Sequence, residues 1–234
     1  MPKAFDRWRV LPHGTIQELT ENLWCVDGSV PNMTLNRLMV VVRLGDGRLL
    51  IHNPIALEGE PMRRIEAWGE VSLLVVPNGF HRLDAAAFKA RYPGARVVCP
   101  AGSRKKVAEV VAVDMTYDEV REDGGVALEH LDGVRKVEGV LRVRSEDGVS
   151  LVLCDAVFNM PHQRGLPGLL LRLMGSSGGP RVTRLMRLLA VKDRRALRAH
   201  LERLAETPDL RRVLIMHGEH VNGPEVLREA AVTL

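Results

Sequence analysis

The chain has 234 residues and a mass of 26.0 kDa, with 46% apolar and 26% charged residues. These values exclude a disordered chain, a collagen-like repeat and a coiled coil, and they suit a single domain with a sizeable core over residues 1–234. No apolar run approaches the roughly 20 residues of a bilayer-spanning helix. Charges at Lys3, Asp6 and Arg7 stand where a signal peptide would be apolar, so a soluble cytoplasmic protein without a membrane span is expected.

In chain order, residues 15–20 alternate, 23–26 are apolar, and 37–44 form a β-branched run that turns at Gly45-Asp46-Gly47 and returns as 48–52, the pattern of a hairpin. A helix is predicted over 61–68. The continuously apolar 71–76 reads as a strand covered on both faces. A helix over 83–92, a buried strand over 96–99 and a short helix over 103–110 follow. Residues 126–131, 139–144 and 149–154 read as strands, the last two joined by Glu146-Asp147-Gly148. Pro161 to Pro180 carries Gly165, Pro167, Gly168, Gly175, Gly178 and Gly179 and reads as a loop-like insertion, a lid. Its apolar turn, Leu169-Leu170-Leu171 with Leu173 and Met174, is expected to need a surface: to roof a cleft, with Arg172 left for an anionic end of the ligand, to pair two copies as a homodimer, or to meet a lipid. Helices over 181–189 and 194–205, a strand over 213–216 and a helix from 224 complete the chain. Two successive sets of strands and helices predict an α/β protein built as a four-layer αββα sandwich.

Charge is uneven. Net charge is +4, yet between Arg164 and Arg203 ten Lys or Arg meet two acids, Asp193 and Glu202. Such a stretch could meet nucleic acid or an anionic membrane surface, but only its Arg-rich composition supports either and it has no aromatic residue, so nucleic acid is not expected as a partner and a solvated helical face is the plain reading. Cys25, Cys99 and Cys154 lie in apolar runs and read as buried free thiols. A nucleophilic Cys154 with His162 as base is the sharper, less favoured alternative.

Side chains that converge in layered α/β folds sit where strands end. Here His52 and Asn53 close one strand, Asn78 and His81 follow the next, Asp155 closes a third, and His217 and His220 follow the last. These ordered segments are Leu49-Leu50-Ile51-His52-Asn53-Pro54, the stretch from Val75 to Asp84, Leu151 to Asn159, and Val213 to Gly218. On them the sequence resembles the metallo-β-lactamase superfamily, and within it a divergent branch of uncharacterised proteins.

That resemblance implies a metal loop of pattern His-x-His-x-Asp-His, a later His, a bridging Asp and a final His. In this chain Asn78, Phe80, Arg82 and Leu83 occupy the four loop positions, and no His appears over 133–136. Asp155 matches the bridging Asp and His217 the final His, while His52 replaces the usual Asp at the end of the second strand. Zinc hydrolysis needs at least three protein donors and an open position. Two matched ligands imply no resident cofactor, or at most one zinc or iron ion held by Asp155, His217 and His81, with Asp84 as a substitute donor. Two functions are therefore carried forward. The first is a non-catalytic protein that binds a small anionic or amphipathic ligand through Asn78, Arg82, His52 and His162. The second is a residual hydrolase with a single-metal or metal-free site, in which Asp155, His217 and His81 are the catalytic groups.

Overall fold

The computed structural model of the chain describes residues 3–33 and 35–234. Seven strands form the first sheet in sequence order: β1 (Gln17–Thr20), β2 (Leu23–Ser29), β3 (Asn36–Arg43), β4 (Leu49–His52), β5 (Val71–Val75), β6 (Arg96–Cys99) and β7 (Met115–Thr116). The strands β1 to β4 are an antiparallel meander, and β4 to β7 run parallel. Parallel neighbours need crossovers, which α1 (Gly59–Trp68), α2 (Ala85–Arg91) and the short α3 (Arg104–Val107) supply.

The second sheet contains β8 (Val126–His130), β9 (Gly139–Ser145), β10 (Gly148–Leu153), β13 (Leu210–Ile215) and β14 (Val221–Asn222), ordered β14-β13-β10-β9-β8. Between β10 and β13 the chain makes the ribbon β11 (Phe158–Met160) with β12 (Gly179–Arg181), and the helices α4 (Gly165–Leu173), α5 (Arg184–Leu189) and α6 (Arg194–Ala205); α7 (Glu225–Val232) closes it.

Alternation along the strands builds the layers. On β3, Leu38, Val40 and Val42 enter one buried cluster with Val152, Cys154, Leu214 and Met216 of the second sheet. Met39 and Val41 point the other way, onto Met62 and Ile65 of α1 and Phe88 of α2. On β10, Leu151 and Leu153 face Leu197 and Leu201 of α6 and Leu227 of α7. Side chains of period 2 on strands buried on both faces thus give three apolar layers between four structural ones. The αββα sandwich read from the sequence is the observed fold. Trp24 and Trp68 stack at 3.8 Å on the outer face of the first sheet.

Three segments depart from the sequence reading. Residues 161–180, read as loop, contain α4 between the paired strands β11 and β12. Gly and Pro content pointed to a loop, but Leu166, Leu169, Leu170 and Leu173 recur at i, i+3, i+4 and i+7, the spacing of one helix face. Those four leucines stand exposed. The two-residue strands β7 and β14 add edges too short for a periodic signal.

Asp84, offered as a substitute metal donor, instead forms a fully buried ion pair with Arg37 of β3, whose Nε also donates to Ser29 O at 3.1 Å. The pair ties the loop after β5 to the meander. Removing the acid would strand a buried guanidinium, so Asp84→Ala should cost about 3–5 kcal/mol of stability by urea unfolding. Loss below about 1 kcal/mol would show that the pair is replaceable by water.

Candidate metal centre

The parallel pairing of β10 with β13 sets Leu153 opposite Ile215. Two residues beyond each partner lie Asp155 and His217, so the register delivers both side chains to the same level. The loop after β5 brings in His81. Three atoms then meet: Asp155 Oδ1 lies 3.2 Å from His81 Nε2 and 3.2 Å from His217 Nε2, and the two Nε2 atoms are 3.2 Å apart.

The protons on the imidazoles follow from their other nitrogens. Asn53 uses its Nδ2 to donate to Leu38 O at 2.7 Å, which leaves its Oδ1 as an acceptor 3.3 Å from His81 Nδ1. His217 Nδ1 lies 2.6 Å from Asn36 O, a carbonyl that only accepts. Both Nδ1 atoms therefore carry hydrogen, and both Nε2 atoms are turned toward the carboxylate. Asn53 manages this from a left-handed backbone, φ 54°, a conformation Asn tolerates better than most residues. Burial alone would raise the Asp155 carboxyl, but the adjoining His81 and His217 hold it well below the usual carboxylate range. His81 is pushed down from the usual histidine range, chiefly by burial.

The other Asp155 oxygen is occupied. Asn78 Nδ2 donates to Oδ2 at 2.8 Å, while Asn78 Oδ1 accepts from Phe80 N at 2.8 Å and His81 N at 3.1 Å. This Asx turn shapes the loop that presents His81. Behind Asn78 lies Glu138, which receives Asn78 Nδ2 at 3.3 Å and Ala156 N at 2.6 Å. Burial, reinforced by the nearby Asp155 charge, pushes the Glu138 carboxyl well above its usual range. Cys154 Sγ accepts from Asn78 at 3.5 Å and lies within 4.8 Å of the His81 and Asp155 donor atoms. Its thiol is pushed far up by burial and by the charges of Asp155 and Glu138.

A close approach fixes the His217 side. Gly218, at φ 114°, would place a Cβ 2.0 Å from Asn159 O. Only glycine fits. The contact lets β11 run against the 217–219 turn, with Asn159 N donating to His217 O at 3.2 Å and Glu219 N to Asn159 O at 2.9 Å. The Phe158 ring then packs 4.8 Å from the His217 ring.

The structure thus gathers Asp155, His217, His81 and Asn78. It does not gather Arg82 or His162. Arg82 turns outward to Lys106 O and to Glu109 Oε2, the latter at 2.8 Å, because the Asx turn points alternate loop residues away from the strands. His162 bonds Ser177 Oγ at 3.1 Å in the β11–β12 region, and this partner replaces the base role considered for it beside Cys154. His52 is buried behind His81, with Nδ1 lacking a protein partner. Asn36, Glu138 and Phe158 were not singled out as site residues, and Asn53 was placed at a strand end without being given a role. A single Glu ahead of β9 carries no motif; Asn53, directly after a strand, was the one with a local cue.

The donor geometry fits a divalent metal. Donors about 2.0–2.1 Å from a tetrahedral zinc are about 3.3 Å from one another, close to the edges of the His81–Asp155–His217 triangle. Two imidazoles and one carboxylate leave a fourth position free, the donor count of a hydrolytic rather than a structural centre.

No protein-family model matches the sequence, and no match is found among curated proteins. Solved structures do match. A metallo-β-lactamase from Pontibacter korlensis superposes with a TM-score of 0.60 at 12% identity, covering 94% of this chain and 99% of that one. One from Hirschia baltica gives 0.63 at 12% identity, over 94% and 98%. The metallo-β-lactamase FIM-1 from Pseudomonas aeruginosa, in its mono-zinc form, gives 0.60 at 12% identity, over 95% and 96%. This chain has the metallo-β-lactamase fold.

His52 makes a pH test of the packing behind the site. Burial, then the His81 charge, push its pKa from 6.5 down to about 3. Between those values the unfolded chain takes up a proton that the folded one refuses. The His52 contribution is therefore complete above pH 6.5 and lost progressively as pH falls toward 3. Thermal melts of His52→Leu should lose less stability over this window than the parent; parallel curves would place His52 in contact with water.

Proposed function

We propose that this metallo-β-lactamase-fold protein binds one divalent metal ion, zinc or iron, through His81 Nε2, Asp155 Oδ1 and His217 Nε2, and uses it for hydrolysis. The single observation behind this reading is the triangle of three donor atoms with edges of 3.2 Å. Lone pairs repel at that separation unless a cation, proton or metal, lies among them. No Lys or Arg among the described residues bonds to the triangle, and Arg37, the buried guanidinium of this region, is committed to Asp84. An anionic ligand would therefore meet Asp155 without a compensating cation. This charge pattern favours a metal over the anion-binding reading, which relied on Arg82.

When bound, such an ion supplies a water of lowered pKa, about 7, as nucleophile and a Lewis acid for the substrate carbonyl or phosphoryl oxygen. The chain's own groups set the stage. Asn53 and Asn36 hold the two imidazoles in the tautomer with Nε2 free, a role in which outer partners typically matter about 10–100-fold for affinity. Asn78 Nδ2 secures Asp155 Oδ2, so that only Oδ1 faces the histidines. Glu138, held toward its protonated form, faces Asn78 rather than the triangle and does not compete as a ligand. Asn78 and Glu138 bond to each other in the region where the resemblance would place further histidines, which supports one ion rather than two.

Protein purified without a histidine tag and dialysed should retain one zinc or iron per chain by elemental analysis. His81→Ala and His217→Ala should abolish retention, Asn53→Ala should weaken it about 10–100-fold, and Asn78→Ala should still bind one ion. Hydrolysis of a panel of small esters, thioesters and β-lactams should follow metal content across these variants. Retention of two ions, or retention unchanged by His217→Ala, would overturn the reading.

A further inference from the structure

We propose that the face formed by α4 and α5 docks on an anionic lipid surface. Leu166, Leu169, Leu170 and Leu173 form one exposed stripe on α4, with Leu166 82% exposed. On α5, Leu185, Leu188 and Leu189 repeat the i, i+3, i+4 spacing and also face outward, Leu188 at 76% exposure, while Met186 alone on that helix is buried. The two helices belong to one surface, since Arg184 N donates to Met174 O at 3.3 Å and Arg184 Nη1 to Leu173 O at 3.2 Å. A core-facing helix buries such a stripe. Here it is turned outward, and contiguous exposed apolar patches of this kind mark interaction sites.

Charge identifies the occupant. Residues 156–192 contain no Asp or Glu but six Lys or Arg: Arg164, Arg172, Arg181, Arg184, Arg187 and Lys192. Arg181, Arg184 and Arg187 rest on backbone carbonyls and not on carboxylates. A second copy would bring two such cationic patches face to face across a two-fold axis, which their repulsion opposes. Nucleic acid would offer the anions but nothing for seven leucines, and no aromatic residue lies in 159–192 to stack on a base. An anionic bilayer surface satisfies both halves at once: leucines enter the headgroup–acyl boundary and guanidiniums meet phosphates. Among the described residues no helix is long and apolar enough to cross a membrane, and the contact proposed is a peripheral one. It is also anchored to the metal centre's own frame, because β11, which leads into α4, packs Phe158 on His217.

The test is co-sedimentation of the full chain with vesicles of phosphatidylcholine alone or mixed with phosphatidylglycerol. Binding is expected to the mixed vesicles and at least about tenfold weaker to the neutral ones. Leu169→Gln/Leu188→Gln should reduce binding about tenfold or more, with circular dichroism unchanged because both positions are exposed. Arg164→Gln/Arg172→Gln should remove most of the preference for phosphatidylglycerol and the sensitivity to salt. Equal binding to both vesicles, no binding to either, or parent-like binding by the leucine variant would overturn the proposal. So would light scattering that shows a dimer abolished by the leucine pair, or tighter binding to duplex DNA than to the mixed vesicles.

Discussion

The pairing of β10 with β13 is the constraint on which the site depends. Parallel neighbours end at the same side of a sheet, so residues just past Leu153 and Ile215 must leave together. A slip of one residue would send every inward side chain outward, and Asp155 and His217 would part. The register is secured from both faces: Leu151, Leu153, Val213 and Ile215 pack on the helices, and Val152 and Leu214 pack on the first sheet. Apolar packing far from any chemistry therefore sets a distance between two polar atoms. The first sheet does the same for its share of the centre, since the parallel run β4-β5-β6 ends with His52, Asn53 and the Asn78–His81 loop on the side where the second sheet presents Asp155.

Most of the architecture was legible in the chain. Apolar runs bounded by Asp-Gly turns marked the hairpins, and β6 was found residue for residue at 96–99. What escaped lay where two signals conflict. In 161–180 the glycines and prolines spoke for a loop and the leucine spacing for a helix, and the spacing prevailed in α4. The site was half legible. Strand ends exposed Asp155 and His217, and His81 stood in the loop. The mutual orientation of these groups was not readable, because it depends on Asn53 adopting a left-handed backbone and on Gly218 admitting Asn159 O. Arg82 illustrates the limit of alignment by position. It fills the Asp slot of the loop pattern, yet its side chain binds Lys106 and Glu109 on the outside.

Electrostatically the molecule is divided. At the strand ends the Asp155 carboxyl, held well below its usual range, meets two imidazoles, and no Lys or Arg among the described residues bonds to them. A short way along the chain, the stretch that contains α4 and α5 has no acid at all. If the two proposals above hold, these regions take partners of opposite charge; the β11–β12 ribbon, with Phe158 on one side and the exposed leucine helix on the other, joins them.

The bond between Asn78 and Glu138 has a consequence for how an ion would be held. In a site whose loop is shaped by the metal, ligand repulsion in the empty state destabilises the fold, and binding energy is spent on ordering the chain. Here Asn78 closes its own Asx turn and holds Asp155, and Glu138 anchors Asn78 and the Ala156 amide. The loop is braced by side chains rather than by coordination. The bracing lies behind the triangle and does not involve its three donor atoms, so the loop would stay folded if an ion held there were removed.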